Sequence, residues 1–157
     1  MAGLTLKLND LILDTENPRF GKATSQREAL QRIIEDQDVK LVVLADSIVT
    51  DGLNPMDRWL VLKTTGIRAK YTVLEGNRRL ATIRILQSPS VMNDLEVRLP
   101  VKRKLEQLAT QFDINTIQPF DCFEVADRAT AATWINQRHT GQNSGRGIVN
   151  WDGVATA

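Results

Sequence analysis

The densest chemistry in the sequence is Glu75-Gly76-Asn77-Arg78-Arg79, which joins an apolar run to a helical pattern. Gly76 lets the backbone turn tightly and come close to a ligand. The first N–H groups of the following helix have no intrahelical partner and carry partial positive charge, a setting that favours an anion. Arg78 and Arg79 add two permanent cations that grip phosphate with forked geometry. Cations at a helix N-terminus oppose the helix dipole at about 0.3–1 kcal/mol each, and a bound anion removes that conflict. The competing reading puts both arginines on the surface, paired with carboxylates such as Glu75 or Asp57.

A second cluster, Asn136-Gln137-Arg138-His139-Thr140-Gly141, ends a helical pattern before a glycine-rich stretch. Amide, guanidinium and imidazole groups suit phosphates or base edges. Equally, Arg138 and His139 suit the negative end of a helix, with Gly141 as its cap. A third, Asn17-Pro18-Arg19, is a turn presenting one arginine. Cys122, between two phenylalanines, reads as a small packed hydrophobe rather than a nucleophile. Trp59, Trp134 and Trp151 read as core or loop anchors, with Trp134 or Trp151 also able to stack on a base. No Walker loop, zinc motif or nucleophile elbow is present.

These clusters need a scaffold, and the patterning supplies one. Leu4 to Leu8 alternates as a strand. Ser25 caps a helix with Glu28 as its capping-box partner and Ala29, Leu30, Ile33 and Ile34 inward. A second helix covers Val39 to Asp51, with Leu41, Leu44, Ala45 and Ile48 on its buried side and Gly52 ending it. Trp59–Leu62 and Tyr71–Leu74 form a hairpin. A helix from about Arg78 to Gln87 stops before Pro89. Leu95 to Val101 fits either strand or loop, and Lys102 to Gln111 a helix with Leu105 and Leu108 inward. Phe120 to Val125 is a strand, and Asp127 caps a helix through about Asn136. Gly141, Gly145 and Gly147 then make a flexible loop, and Asp152 could cap another helix.

Composition bounds the answer. The 157 residues suit one domain, and 42% hydrophobic with 25% charged residues is ordinary for a globular chain. Lys+Arg number 20 against 19 Asp+Glu, so any anion must be held by local clusters rather than by bulk charge. One cysteine and one histidine exclude a disulfide framework and multi-cysteine or multi-histidine metal sites. No apolar run approaches the roughly 18–20 residues that span a bilayer. Met1-Ala2-Gly3-Leu4 lacks the features of a secretory signal, and a cytoplasmic location with no membrane contact is expected.

The order of the motifs carries a resemblance. Asn17-Pro18-Arg19 precedes Leu44-Ala45-Asp46-Ser47-Ile48 and Asp51-Gly52-Leu53-Asn54-Pro55. A strand follows, and then Tyr71 to Ala81 with its Gly-x-x-Arg box. This resembles the N-terminal domain of ParB-like proteins, within the ParB/sulfiredoxin fold, best over about residues 4 to 90. Asn136-Gln137-Arg138 resembles the second nucleotide box of that group, with Ile135 where a Glu usually precedes the Asn.

The resemblance implies an α/β (α+β) fold with a small mixed sheet flanked by helices over residues 1–150. Residues 151–157 would begin a further segment of a longer protein. It implies binding of a nucleoside triphosphate, CTP or ATP, with Mg2+, acting as a switch or being slowly hydrolysed. Gly76, Asn77, Arg78 and Arg79 would cradle phosphates, with Arg19 approaching from the first loop. Asn136, Arg138 and His139 would close over the nucleotide. Glu75 would orient a water or a magnesium ion. Asn77 stands where sulfiredoxins keep their reactive cysteine, which argues against sulfiredoxin chemistry. DNA contact would come from a following C-terminal region, and homodimerisation is open. Two other readings compete: a metal-dependent DNA nuclease, although two-metal sites want several acids near the box, and a non-catalytic protein-interaction module.

Overall fold

A computed structural model describes residues 2–66 and 68–139 of the chain. Five strands form one mixed sheet in the order β1-β5-β3-β4-β2: β1 Ala2–Leu6, β2 Leu11–Ile12, β3 Trp59–Lys63, β4 Tyr71–Glu75 and β5 Phe120–Glu124. The β1/β5 and β3/β4 pairs are antiparallel, whereas β5/β3 and β4/β2 are parallel. Helices flank the sheet: α1 Gln26–Gln37, α2 Val39–Asp51, α3 Asn77–Gln87, α4 Leu99–Ala109 and α5 Arg128–His139. The fold is therefore the mixed α/β arrangement that the sequence predicts. Among the described residues no helix is long and apolar enough to cross a membrane.

Period-two burial explains the central strands. Trp59 and Val61 on β3, Val73 on β4, and Phe120 and Cys122 on β5 point into the core. Trp59 stacks on Phe120 with ring centroids 4.9 Å apart. α3 is the central helix. Leu80, Ala81, Thr82, Ile83, Ile85 and Leu86 are all buried, and α1, α2 and α4 pack around it. A helix apolar on most of its circumference must be enclosed in this way. Arg84 fastens it further by donating to the Leu11 carbonyl.

Several boundaries differ from the sequence reading. The first strand is Ala2–Leu6 rather than Leu4–Leu8, because Leu8–Asp10 folds into a 3-10 turn. Asp10 drives that turn by accepting from the Lys7 N–H at 2.9 Å. Ser25 caps α1 by accepting from Glu28 N–H at 3.1 Å. The Glu28 carboxylate, however, returns to Thr24, at 3.0 Å from its N–H and 2.5 Å from its hydroxyl, not to Ser25. α4 starts at Leu99, three residues earlier than expected, since Pro100 is tolerated in a first turn where its missing N–H costs nothing. α5 continues to His139, past Asn136. The glycine loop expected from Gly141, the capping role of Asp152, Trp151 and the segment 151–157 lie outside the described residues.

Candidate functional site

The β4–α3 junction is built around Gly76. Its backbone sits at φ 117°, ψ 13°, and a Cβ there would lie 3.1 Å from Trp59 Cε3. Both the left-handed backbone and the ring beneath exclude a side chain. No side chain caps α3, and its first turn holds no acidic residue. The first intrahelical bond is Leu80 N–H to Gly76 O, at 2.9 Å. The N–H groups of Asn77, Arg78 and Arg79 thus precede any intrahelical acceptor, as at every helix start.

This junction opens on a cavity of about 990 Å³, a volume within the range of small-molecule sites. The residues expected to hold phosphate, close over the nucleotide or orient a water all line it: Arg19, Glu75, Gly76, Asn77, Arg78, Arg79, Asn136, Arg138 and His139. The three clusters, separated by more than fifty residues each in the chain, therefore converge on one space. Leu44, Ile48 and Leu53 from the α2 side and Ala131 and Ile135 from α5 give it an apolar wall. Leu44 is half-buried, lining this space while also packing against the core.

The cations fall into two groups. Arg138 pairs with Asp57 at 2.6 Å, and His139 Nε2 lies 2.9 Å from Glu75 Oε2. Arg128 forks onto Asp14 at 2.9 and 3.0 Å and also reaches Glu16 at 3.1 Å. By contrast, among the described residues no carboxylate pairs with Arg19, Arg78 or Arg79. Asp57 and Glu75, the expected surface partners of Arg78 and Arg79, are engaged by the end of α5 instead.

Arg78 and Arg79 are half-buried. Arg78 Nη2 donates to the Lys40 carbonyl at 3.1 Å, while its Nε is buried without a partner. Arg79 lies over the Trp59 ring, 4.8 Å from its centroid, with Nη1 buried and unpartnered. Burial pulls the Arg78 guanidinium below its usual range, and the charge of Arg19 adds to this. Burial does the same to Arg79, with Asp57 and Glu75 opposing it. Both remain cations at any physiological pH. Arg19 leans on the Phe20 ring at 5.3 Å, in a turn closed by Asn17 Oδ1 accepting from the Arg19 N–H at 2.9 Å.

Asn77 has a narrower role than its place in the box implies. It is buried, its Oδ1 accepts from Asp14 N–H at 2.9 Å, and its Nδ2 donates to Val73 O at 2.7 Å. What it offers the cavity is its main-chain N–H. Its side chain ties the Asp14 loop to the start of α3.

Asp14 and Arg128 are the site residues that sequence reading missed. Arg128 follows the N-cap Asp127, so it repeats the signal of Arg78, a cation at a helix start that needs an anion. Asp14 follows a buried leucine directly, and only the fold reveals its partner. Trp134 does not line the cavity; it is half exposed on the outer side of α5. Cys122 is buried on β5, and burial pushes its thiol up to about 12, which removes it from nucleophilic chemistry.

No family model, curated protein or solved structure matches the chain. The likeness to ParB-like domains rests on the order and spacing of its motifs.

Proposed function

We propose that the cavity binds a nucleoside triphosphate, CTP or ATP, as a ParB-like module that switches an attached DNA-binding or effector part. One observation carries the reading. Arg19, Arg78 and Arg79 surround the uncapped start of α3 inside a cavity of about 990 Å³, and none of them has a carboxylate partner among the described residues. A fold that holds cations against a helix dipole, with the nearby acids turned elsewhere, is arranged for an anion that arrives from outside. The triphosphate would lie on the α3 N–H groups and the three guanidiniums. Base and ribose would lie along the apolar wall, with Asn136 and Arg138 above them.

Magnesium fits only as a companion of the triphosphate. Among the described residues no three His, Cys, Asp or Glu side chains gather as a metal site, so phosphate oxygens would supply most of its ligands. That the described acids do not gather as such a cluster weighs against the nuclease reading. Glu75 is the residue to orient a water for slow hydrolysis. Titration calorimetry with CTP, ATP and GTP, with and without Mg2+, tests the proposal. Removing Arg79 by Arg79→Ala deletes a charge-assisted contact of about 1.5–3 kcal/mol, which weakens binding by roughly ten- to a hundredfold. No heat with the wild type, or equal affinity in Arg79→Ala and Arg19→Ala, refutes it.

A further inference from the structure

α5 forms one wall of the cavity, yet it is scarcely part of the core. Ala131 is its one buried residue, and β4 is its main neighbour. A helix of 12 residues is marginal alone, so packing or charge must hold it in place. Charge is what the structure offers, and it is unevenly distributed along the helix. At the first turn, Arg128 forks onto Asp14, whose side chain is only 3% exposed. At the last turn, Arg138 meets Asp57 and His139 meets Glu75, with side-chain exposures of 44%/32% and 51%/22%. Exposed pairs are weak and screened by salt, whereas breaking a pair with one buried partner leaves an uncompensated charge inside.

We propose that α5 is a hinged cover over the cavity, anchored by Arg128 to Asp14 at its first turn and caught at its last turn by Asp57 and Glu75, and that the catch releases while the anchor holds. This rests on the reading of the cavity as a ligand site only for what the cover encloses. Releasing the catch would free Arg138 and uncover Arg79, whose charge Asp57 and Glu75 also feel. An entering polyanion would then take Arg138 from Asp57, so the same arginine would fasten the cover in both states.

Hydrogen exchange on the full chain reads this directly. In Asp57→Asn/Glu75→Gln, amides of residues 135–139 are expected to exchange about tenfold faster, the combined effect of losing two exposed pairs. Amides of α3 and β3 would be unchanged. The charge reversal Asp57→Arg should speed the same amides, and adding Arg138→Asp should return them toward wild type. The wild-type chain gives an independent reading. Going from about 0.01 M to about 1 M KCl cuts the Debye length from about 30 Å to about 3 Å, and should speed the same segment severalfold. Exchange at 135–139 that ignores both the substitutions and the salt, or that rises only together with α3 and β3, overturns the cover. A segment that responds to both but is not slowed by inorganic tripolyphosphate supports the catch and refutes the anion pocket.

Discussion

Replacing Arg78 with methionine is expected to stabilise the empty protein while abolishing its response to a triphosphate. The substitution keeps an unbranched, helix-favouring side chain. It removes a cation from the first turn of α3, worth about 0.3–1 kcal/mol. It removes the buried, unpartnered Nε, a desolvation cost taken here at about 1 kcal/mol because the side chain is half exposed. Against these stands the lost bond to the Lys40 carbonyl, about 1 kcal/mol. The net gain is roughly 0.3–1 kcal/mol, or about 1–4 °C in Tm for a domain of this size. A ligand at a hundred times its Kd adds about 2.7 kcal/mol to the wild type, near 8 °C on the same scale. Differential scanning calorimetry of both proteins, with and without CTP or ATP, reads the two effects together. A Tm that drops by several degrees in Arg78→Met while the ligand shift survives would show that this arginine holds the fold, and the electrostatic reasoning would fail.

Three further expectations follow from the same geometry. Gly76→Ala combines a left-handed backbone with a Cβ 3.1 Å from Trp59; it should cost about 2–4 kcal/mol, read as a lower urea midpoint at constant slope. The Cys122 thiol, raised to about 12 by burial, should ignore a thiol reagent at pH 8 until the chain unfolds. Because its folded pKa is raised, its contribution is complete below the ordinary thiol range and is lost as pH climbs toward 12, and Cys122→Ser should flatten that alkaline decline. Thr24 and Arg32 pull the Glu28 carboxyl from 4.5 down to about 2. Its contribution is therefore present above 4.5 and lost as pH falls through 2, so Glu28→Gln should shallow the acid limb of a stability–pH profile.

The scaffold was readable where a segment carried both periodicity and a terminator. α2 runs from Val39 to Asp51 as its apolar spacing and Gly52 require, and the β3/β4 hairpin follows from two apolar runs flanking a short loop. Boundaries slipped where a local side chain redirected the backbone, as Asp10 does after β1 and Pro100 does at α4. The candidate site was legible because its residues break local rules. A glycine at a strand end and cations at a helix start make poor scaffold and good ligand contacts. The anchor was not legible, because Asp14 and Arg128 satisfy one another across the fold. A pair that is complete leaves no local conflict in either segment to notice. Nor could the sequence say that Asn77 would spend its amide on Val73 and Asp14.

The enclosure of α3 on nearly every side has a thermodynamic consequence. Its amide donors are held in place, so that half of the proposed pocket would be preorganised and would incur little reorganisation cost on binding. Whatever ordering entropy association demands must fall on the other half, the Arg19 turn and α5. In the proposed pocket, substitutions near α3 should register mainly in the dissociation rate, and substitutions that loosen α5 also in how fast the complex forms.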